Sequence, residues 1–317
     1  MVYKKYNIRI KDKNIVNKVL FIGSKHLGLS CLKIIFSIEP KSLAAIVTLN
    51  DTIDIRCKLK EFKSFAEQKK KKLYILEKQS GLKDIIEKEK PDLCIVVGWY
   101  WKISPEILSS VPNGFIGLHA SLLPKYRGFA PLVWAIINGE KRTGISLFYL
   151  EDGIDTGNII GQKQFTISQT DSIRTVLEKS EIYCDKLLKE NYLKILSGNA
   201  SKKSQTNSYA SYCSERKPED GLINWTDSNK NIYNFIRAQS EPYPGAFTYI
   251  DSKKIRIWKA NIFPYPYHGI PGTIIQINSD SAVVVCGQGA LILNEVQFEE
   301  QNKCPAQTVL KYGIRFK

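Results

Sequence analysis

The sequence predicts an α/β protein, in which a parallel sheet flanked by helices is followed by a smaller antiparallel barrel. Three observations predict it. Short apolar runs alternate with segments of helical periodicity between Val19 and Leu196. Residues 197–212 then turn rich in Ser, Asn and Lys. Beyond them, strand-like runs follow one another at short intervals, separated by turns. Strands alternating with helices imply parallel pairing with right-handed crossovers, whereas closely spaced strands imply antiparallel pairing.

The elements follow in order. Val19-Leu-Phe-Ile22, closed by Gly23, is an uninterrupted apolar run of the kind that forms a strand buried on both faces. Leu27 to Ile38 has helical spacing. Leu43–Leu49 is a second strand, Leu59–Lys70 a second helix, Leu73–Leu76 a third strand and Leu82–Lys88 a third helix. Leu93–Val97 and Phe115–Leu118 are two further strands. Pro131 opens a helix that Gly139 closes. Ile145–Tyr149 is another strand. Apolar residues at helical spacing, Ile173, Val176, Leu177, Ile182, Leu187 and Leu188, make Asp171–Leu196 a long helix.

The linker falls at 201–212. After a short helix at Ile232–Arg237, strands are expected at Ala246–Ile250, Lys254–Lys259, Gly272–Ile277, Ala282–Cys286 and Ala290–Val296. The expected organisation is a polar N-terminal extension over 1–17, an α/β domain over 18–200, the linker, and a C-terminal domain over 213–317.

Composition narrows the class. A length of 317 residues accommodates two domains, and 43% hydrophobic with 24% charged residues is ordinary for a globular protein. No apolar run approaches the roughly 20 residues of a membrane helix, and Met1–Lys18 lacks the apolar core of a signal peptide. A cytoplasmic protein without a membrane partner is expected. The seven cysteines are scattered without a C-x-x-C pair, so neither a metal site nor a disulfide framework is expected. The net charge of +15 fits either an anionic partner or lysines dispersed over the surface. The dense run Lys69–Lys72 has no interleaved aromatics and reads as a solvated helix end.

The chemistry-bearing residues are few. The turn Gly23-Ser-Lys-His-Leu-Gly28 lacks the G-x-G-x-x-G pattern of a dinucleotide site, which argues against a nicotinamide-dependent dehydrogenase. Of three histidines, His26 lies in that turn and His268 in a Pro/Tyr loop. His119 ends the run Phe115-Ile-Gly-Leu and so sits at the carboxyl end of a strand, where open parallel sheets bind ligands. An irregular loop, Ala120–Gly128, follows it. Asp155 lies in a loop just past the strand Ile145–Tyr149. If that strand neighbours the His119 strand, the two loops share an edge, and a carboxylate beside the imidazole fixes its tautomer and raises its pKa. A structural histidine and a turn-stabilising aspartate are the alternatives on spacing alone.

Leu118-His-Ala-Ser-Leu-Leu-Pro-Lys-Tyr-Arg-Gly128, Ala130-Pro-Leu, Gly139-Glu, Thr143-Gly and Asp155-Thr-Gly157 resemble the folate-dependent formyltransferase family. The resemblance continues through Asp220-Gly-Leu-Ile-Asn-Trp225, Tyr243-Pro-Gly-Ala-Phe247 and Cys286-Gly-Gln-Gly-Ala-Leu291, covering roughly residues 18–300. It implies a Rossmann-like domain that takes 10-formyltetrahydrofolate, followed by an OB-like barrel. It assigns catalysis to His119 and Asp155. It places Ser121, Leu122, Leu123 and Pro124 along the folate site, with the backbone of Trp101, Lys102, Ile103 and of Glu151, Asp152, Gly153, Ile154 facing the pterin. No metal is implied, and a homodimer is left open.

The family's third catalytic residue, an asparagine two positions before the histidine, is replaced here by Gly117. Asn113 precedes the strand and is not its counterpart. Loss of one oxyanion donor costs about 10²–10³ in rate. The Gly117 N–H, a water or another side chain would have to substitute, or the chain is a folate- or nucleotide-sugar-binding relative with weakened catalysis. For the acceptor, the family's tRNA-acting members carry a basic insertion soon after the second strand. Here Thr48–Arg56 runs straight toward a helix. Lys125-Tyr-Arg-Gly and Trp99-Tyr-Trp101 more closely resemble the domain that formylates a UDP-linked amino-arabinose. A nucleotide-linked amino sugar is therefore the expected partner, with charged initiator tRNA the alternative that the positive charge favours.

Overall fold

The computed structural model describes residues 15–52, 54, 56–299 and 301–317. In chain order the first elements are β1 (Val19–Gly23), α1 (Lys25–Ile38), β2 (Leu43–Leu49), α2 (Leu59–Gln68), β3 (Lys72–Leu76), α3 (Gly81–Glu89), β4 (Leu93–Val97), α4 (Pro105–Ser109) and β5 (Phe115–His119). Next come β6 (Arg127–Gly128), α5 (Pro131–Ile137), β7 (Arg142–Tyr149), β8 (Ile159–Thr166) and α6 (Ile173–Leu196). The remainder holds β9 (Tyr212–Cys213), α7 (Asn229–Gln239), β10 (Ala246–Ile250), β11 (Lys253–Ile262), β12 (Ile274–Ile277), β13 (Ala282–Val285), β14 (Ala290–Phe298) and β15 (Cys304–Pro305).

The chain divides into two compact units. One comprises residues up to His119 together with Ser146–Gln162 and Cys184–Gln205; the other comprises Ala120–Ile145, Lys163–Tyr183 and Thr206–Lys317. The expected extension falls on residues 1–17, of which 1–14 lie outside the described residues. Val16 is buried and donates its N–H to the Leu196 carbonyl.

The first unit is built on a sheet of order β3-β2-β1-β4-β5-β7-β8. Pairing is parallel from β3 through β5, with the Rossmann-like order 3-2-1-4-5. Every residue of β1 and β4 is buried, as their unbroken apolar runs require of strands covered on both faces. Leu20, Ile22, Val47, Ile86 and Phe115 join one core cluster.

The sheet departs from the all-parallel expectation at β7, which runs antiparallel to β5 with Gly117 opposite Phe148 and His119 opposite Ser146. Strand β8 and helix α4 escaped the pattern reading, as did the two-residue strands β6, β9 and β15. Strand β8 carries Gln162, Lys163 and Gln164 in its middle, so its apolar signal is broken, as suits a sheet edge. Helix α4 is a five-residue turn capped by Ser104, whose hydroxyl accepts from Ile107 N–H, with Pro105 next to the cap.

The second unit holds the antiparallel sheet β10-β11-β14-β13-β12, with β15 added to β14. The C-terminal tail spans its two ends. Ile314 accepts from Ile274 N–H on β12, and Lys317 N–H donates to Tyr249 on β10. The barrel interior gathers Trp225, Ile236, Ile257, Val284, Leu291 and Leu293. Trp225 stacks on Phe316 at 5.0 Å and donates its indole N–H to Thr248 Oγ1 at 2.9 Å.

The Lys69–Lys72 run is only in part a solvated helix end. Lys71 donates to the carbonyls of Pro40 and Leu43, and Lys72 pairs with Glu89 at 2.6 Å.

Candidate functional site

His119 is the last residue of β5 and is 8% exposed. Its Nδ1 lies 3.3 Å from Asp155 Oδ2. Antiparallel pairing makes that meeting less direct than a shared loop edge. Tyr149, the last residue of β7, stands opposite Ile116, so β7 exits at the start of β5, about 10 Å from His119. The segment 150–158 must fold back along the strand to bring Asp155 to the imidazole.

Local geometry produces that return. Leu150 N–H bonds to the Phe115 carbonyl, and Tyr149 N–H closes the loop on Asn158. Gly157 passes so close to Tyr149 that a Cβ there would lie 1.8 Å from the Tyr149 carbonyl oxygen. Asp155 takes the left-handed conformation at φ 52°, which Asp tolerates better than most side chains. Gln205 secures the turn from outside, its Nε2 donating to the carbonyls of Asp155 at 2.8 Å and Gly157 at 2.7 Å. Gln205 escaped sequence reading because it sits in a polar linker with nothing local to mark it.

Gly117 lies two residues before His119 and therefore on the same face of β5. A Cβ on Gly117 would meet Phe148 Cε1 at 3.2 Å and Leu150 Cδ2 at 3.4 Å. The cross-strand aromatic thus occupies the side of the glycine where a side chain would stand. The same Phe148 ring lies edge-on to His119, with centroids 6.4 Å apart.

The segment after β4 closes on the segment after β7. Lys102 Nζ is 3.5 Å from Asp152 Oδ1, both groups being exposed. Gln79 donates to the Lys102 carbonyl. Trp101 packs edge-on against Trp99 at 5.3 Å, and Ile103 is buried in the core below. Glu151 accepts from Thr156 Oγ1 at 2.6 Å, which ties down the exposed stretch Glu151–Ile154. The indole N–H of Trp99 is buried without a partner among the described residues. His119, Asp155, Trp101, Lys102, Ile103 and residues 151–154 all fall in the first unit, where direct contacts join His119 to Asp155 and Lys102 to Asp152.

Ser121, Leu122, Leu123 and Pro124 follow His119 directly in the chain and belong to the second unit. There Ser121 is buried and donates its hydroxyl to the Lys125 carbonyl at 2.6 Å, and Leu123 is buried as well. His26 and His268 are exposed.

At the edge of the sheet, Lys25 pairs with Asp51 and Asp54, and Asp54 also with Arg56 at 2.7 Å. The Arg56 hydrogen bonds hold the Asp54 carboxyl well below the usual carboxylate range. Burial opposes the Lys25 charge, but its bonds to Asp51 and Asp54 outweigh burial and raise its pKa. Among the described residues, no three His, Cys, Asp or Glu side chains gather as a metal site would require. Nor is any described helix long and apolar enough to cross a membrane.

Comparison with known proteins agrees with this architecture. Residues 36–190 match the family model described as formyl transferase, and residues 216–312 match its C-terminal domain. The chain is 33% identical to the methionyl-tRNA formyltransferase of Acetivibrio thermocellus, over 90% of this chain and 93% of that protein. It is 35% identical to the bifunctional polymyxin resistance protein ArnA of Wigglesworthia glossinidia brevipalpis, over 87% of this chain but only 42% of that larger protein. Its fold superposes on an N-formyltransferase from Helicobacter canadensis, solved with folinic acid and dTDP-3-aminofucose. That match has a TM-score of 0.67 at 21% identity and covers 87% of this chain and 98% of that one. The chain belongs to the formyltransferase family.

Proposed function

We propose that the protein transfers a formyl group from 10-formyltetrahydrofolate to the primary amine of a nucleotide-linked amino sugar. The observation that carries the reading is the 3.3 Å approach of Asp155 to His119 Nδ1 at the strand end. Asp155 holds the proton on Nδ1 and leaves Nε2 facing away from the carboxylate. As the amine attacks the formyl carbon, Nε2 takes its proton and then donates to the oxyanion. The proton passes on to the folate nitrogen that leaves. The backbone of Trp101, Lys102, Ile103 and of Glu151, Asp152, Gly153, Ile154 is proposed to face the pterin, a reading supported by the 3.5 Å approach of Lys102 to Asp152, which sets the two segments side by side.

The acceptor reading rests on residues 50–58. They join β2 to α2 and hold Asp51 and Asp54, which engage the neighbouring cations Lys25 and Arg56. A segment whose cations are paired with carboxylates offers little to a phosphate backbone. The net charge of +15 and the likeness to methionyl-tRNA formyltransferases favour charged initiator tRNA as a second reading.

The test is incubation with 10-formyltetrahydrofolate and a panel of nucleotide-linked amino sugars and charged initiator tRNA, read by mass spectrometry. A formylated amino-sugar nucleotide is expected. Formylation of tRNA alone would overturn the acceptor, and no formylated product with either would overturn the reaction.

A further inference from the structure

The second unit contains a cavity of about 430 Å³ that the catalytic reading leaves unused. Its size suits a small organic ligand. Its walls include Tyr126, Trp134 and Tyr212, with Lys125, Asn138 and Glu140 supplying charge and hydrogen-bonding groups. Tyr209 joins the lining, and both Tyr209 and Tyr212 stay more than 60% exposed. Large aromatic faces left in water around a concavity mark a place where a flat apolar partner is missing.

The walls are held rigidly. Arg127 is 1% exposed and donates to Tyr212 Oη at 2.9 Å and to Asn207 Oδ1 at 2.9 Å. Its guanidinium also lies 5.6 Å from the Tyr212 ring centroid. The parallel ladder β6–β9 pairs Arg127 with Tyr212 and Gly128 with Cys213. Trp134 donates its indole N–H to Ser214 O at 3.0 Å, and Arg216 sits 5.0 Å from its ring centroid. Tyr126 is kept at a positive φ of 58°, unfavourable for a bulky residue, and its N–H donates to Ser211 Oγ at 2.9 Å. Aromatic walls fixed before binding lose little entropy when a ring inserts.

The polar groups define the ring. Glu140 Oε1 accepts from Tyr126 Oη at 2.8 Å, and Asn138 Nδ2 donates to the same hydroxyl at 3.3 Å. Burial first, and Glu140 in addition, push the Tyr126 hydroxyl up to about 12, so it stays a proton donor to Glu140. A carboxylate offers up to four acceptor positions, and the Asn138 amide offers both a donor and an acceptor. Together they match the edge of a heterocycle that carries N–H donors beside a carbonyl. Lys125 is exposed at the rim, where it can meet an anionic substituent.

We propose that this cavity binds the base of a nucleoside phosphate, stacked on the aromatic walls, read at its edge by Glu140 and Asn138, with its phosphate toward Lys125. That the nucleotide is the carrier of the acceptor rests on the function proposed above, whereas binding of the nucleotide itself does not.

The test is calorimetric titration of the full chain with UMP, dTMP, CMP, AMP and GMP, with inorganic phosphate and ribose 5-phosphate as controls. At least one nucleotide is expected to bind in a 1:1 ratio, while the two controls do not. Tyr212→Ala and Glu140→Gln should each weaken that binding at least tenfold, and Tyr212→Phe, which keeps the ring, should retain most of it. Circular dichroism melts confirm that each variant is folded. Absence of nucleotide binding, or binding unchanged in both variants, overturns the proposal. So does a single-stranded RNA ending in CCA that binds more tightly than every free nucleotide.

His119→Ala separates the two claims, since it should lose formyl transfer and keep nucleotide affinity. Nucleotide binding without formylation of any amino-sugar nucleotide would sink the acceptor and leave the cavity standing. Formylation with an unchanged KM in Tyr212→Ala and Glu140→Gln would do the reverse.

Discussion

Phe148 crowds the place where a side chain on Gly117 would stand, its Cε1 lying 3.2 Å from the position of a Cβ there. The two residues are direct cross-strand partners, so both project to the same side of the sheet, as does His119 two residues on. A small residue on β5 is matched by a large aromatic on β7.

Gly117→Asn accordingly tests more than a lost donor. The asparagine has to displace the buried Phe148 ring or leave its own rotamer well. A stability loss of about 1–3 kcal/mol is expected from such overpacking. Formyl transfer should be no faster than in the natural chain. A tenfold rise in turnover from the single substitution would show that the amide fits unaided and that no other group serves in its place.

His119→Ala and Asp155→Asn probe the pair itself. Removing the imidazole should abolish measurable transfer, since both the proton acceptor and the oxyanion donor go with it. Asp155→Asn keeps the shape but no longer holds the proton on Nδ1. A loss of at least about 10² in kcat is expected, in the range of general acid–base contributions. Steady-state kinetics decide it, and full activity in either variant would remove the residue from the mechanism.

Gln205→Ala should act on the same chemistry from the linker. The side chain makes two hydrogen bonds to the backbone that carries Asp155 in its left-handed turn. Without them Asp155 is held less closely to His119. A fall in kcat of about tenfold, or ~1.4 kcal/mol, is expected, with an unchanged melting midpoint. Equal losses of activity and melting temperature would point instead to a general structural role.

Asp171 links stability to pH. Burial works against its charge, but Lys179 at 2.5 Å, the Ser168 N–H at 2.6 Å and the Thr175 hydroxyl at 3.1 Å together lower its pKa. A carboxyl held low in the folded state stabilises above its unfolded pKa of about 3.9 and loses that contribution as pH falls through the folded value. Asp171→Asn should therefore cost about 1.5–3 kcal/mol at pH 7, and the gap should close at strongly acidic pH. Urea unfolding at pH 7 and at pH 3 measures it; an identical gap at both would exclude the ionic contribution.

The sequence by itself determined the strands and helices whose apolar residues keep one period. Strands β1, β2, β4 and β5 could be read directly, because a strand buried on both faces must be apolar throughout. The same reasoning put His119 at a strand end, and the family resemblance marked Gly117 as a departure. Only the tertiary structure decided what depends on pairing. That β7 runs antiparallel, so that 150–158 must double back to deliver Asp155, is invisible along the chain, because strand periodicity carries no direction. The Phe148 ring against Gly117, the Gln205 brace and the cavity walled by Tyr126, Trp134 and Tyr212 belong to the same class. Each joins residues far apart in sequence, and none has a local signature, since it is the long-range contact that gives each residue its role.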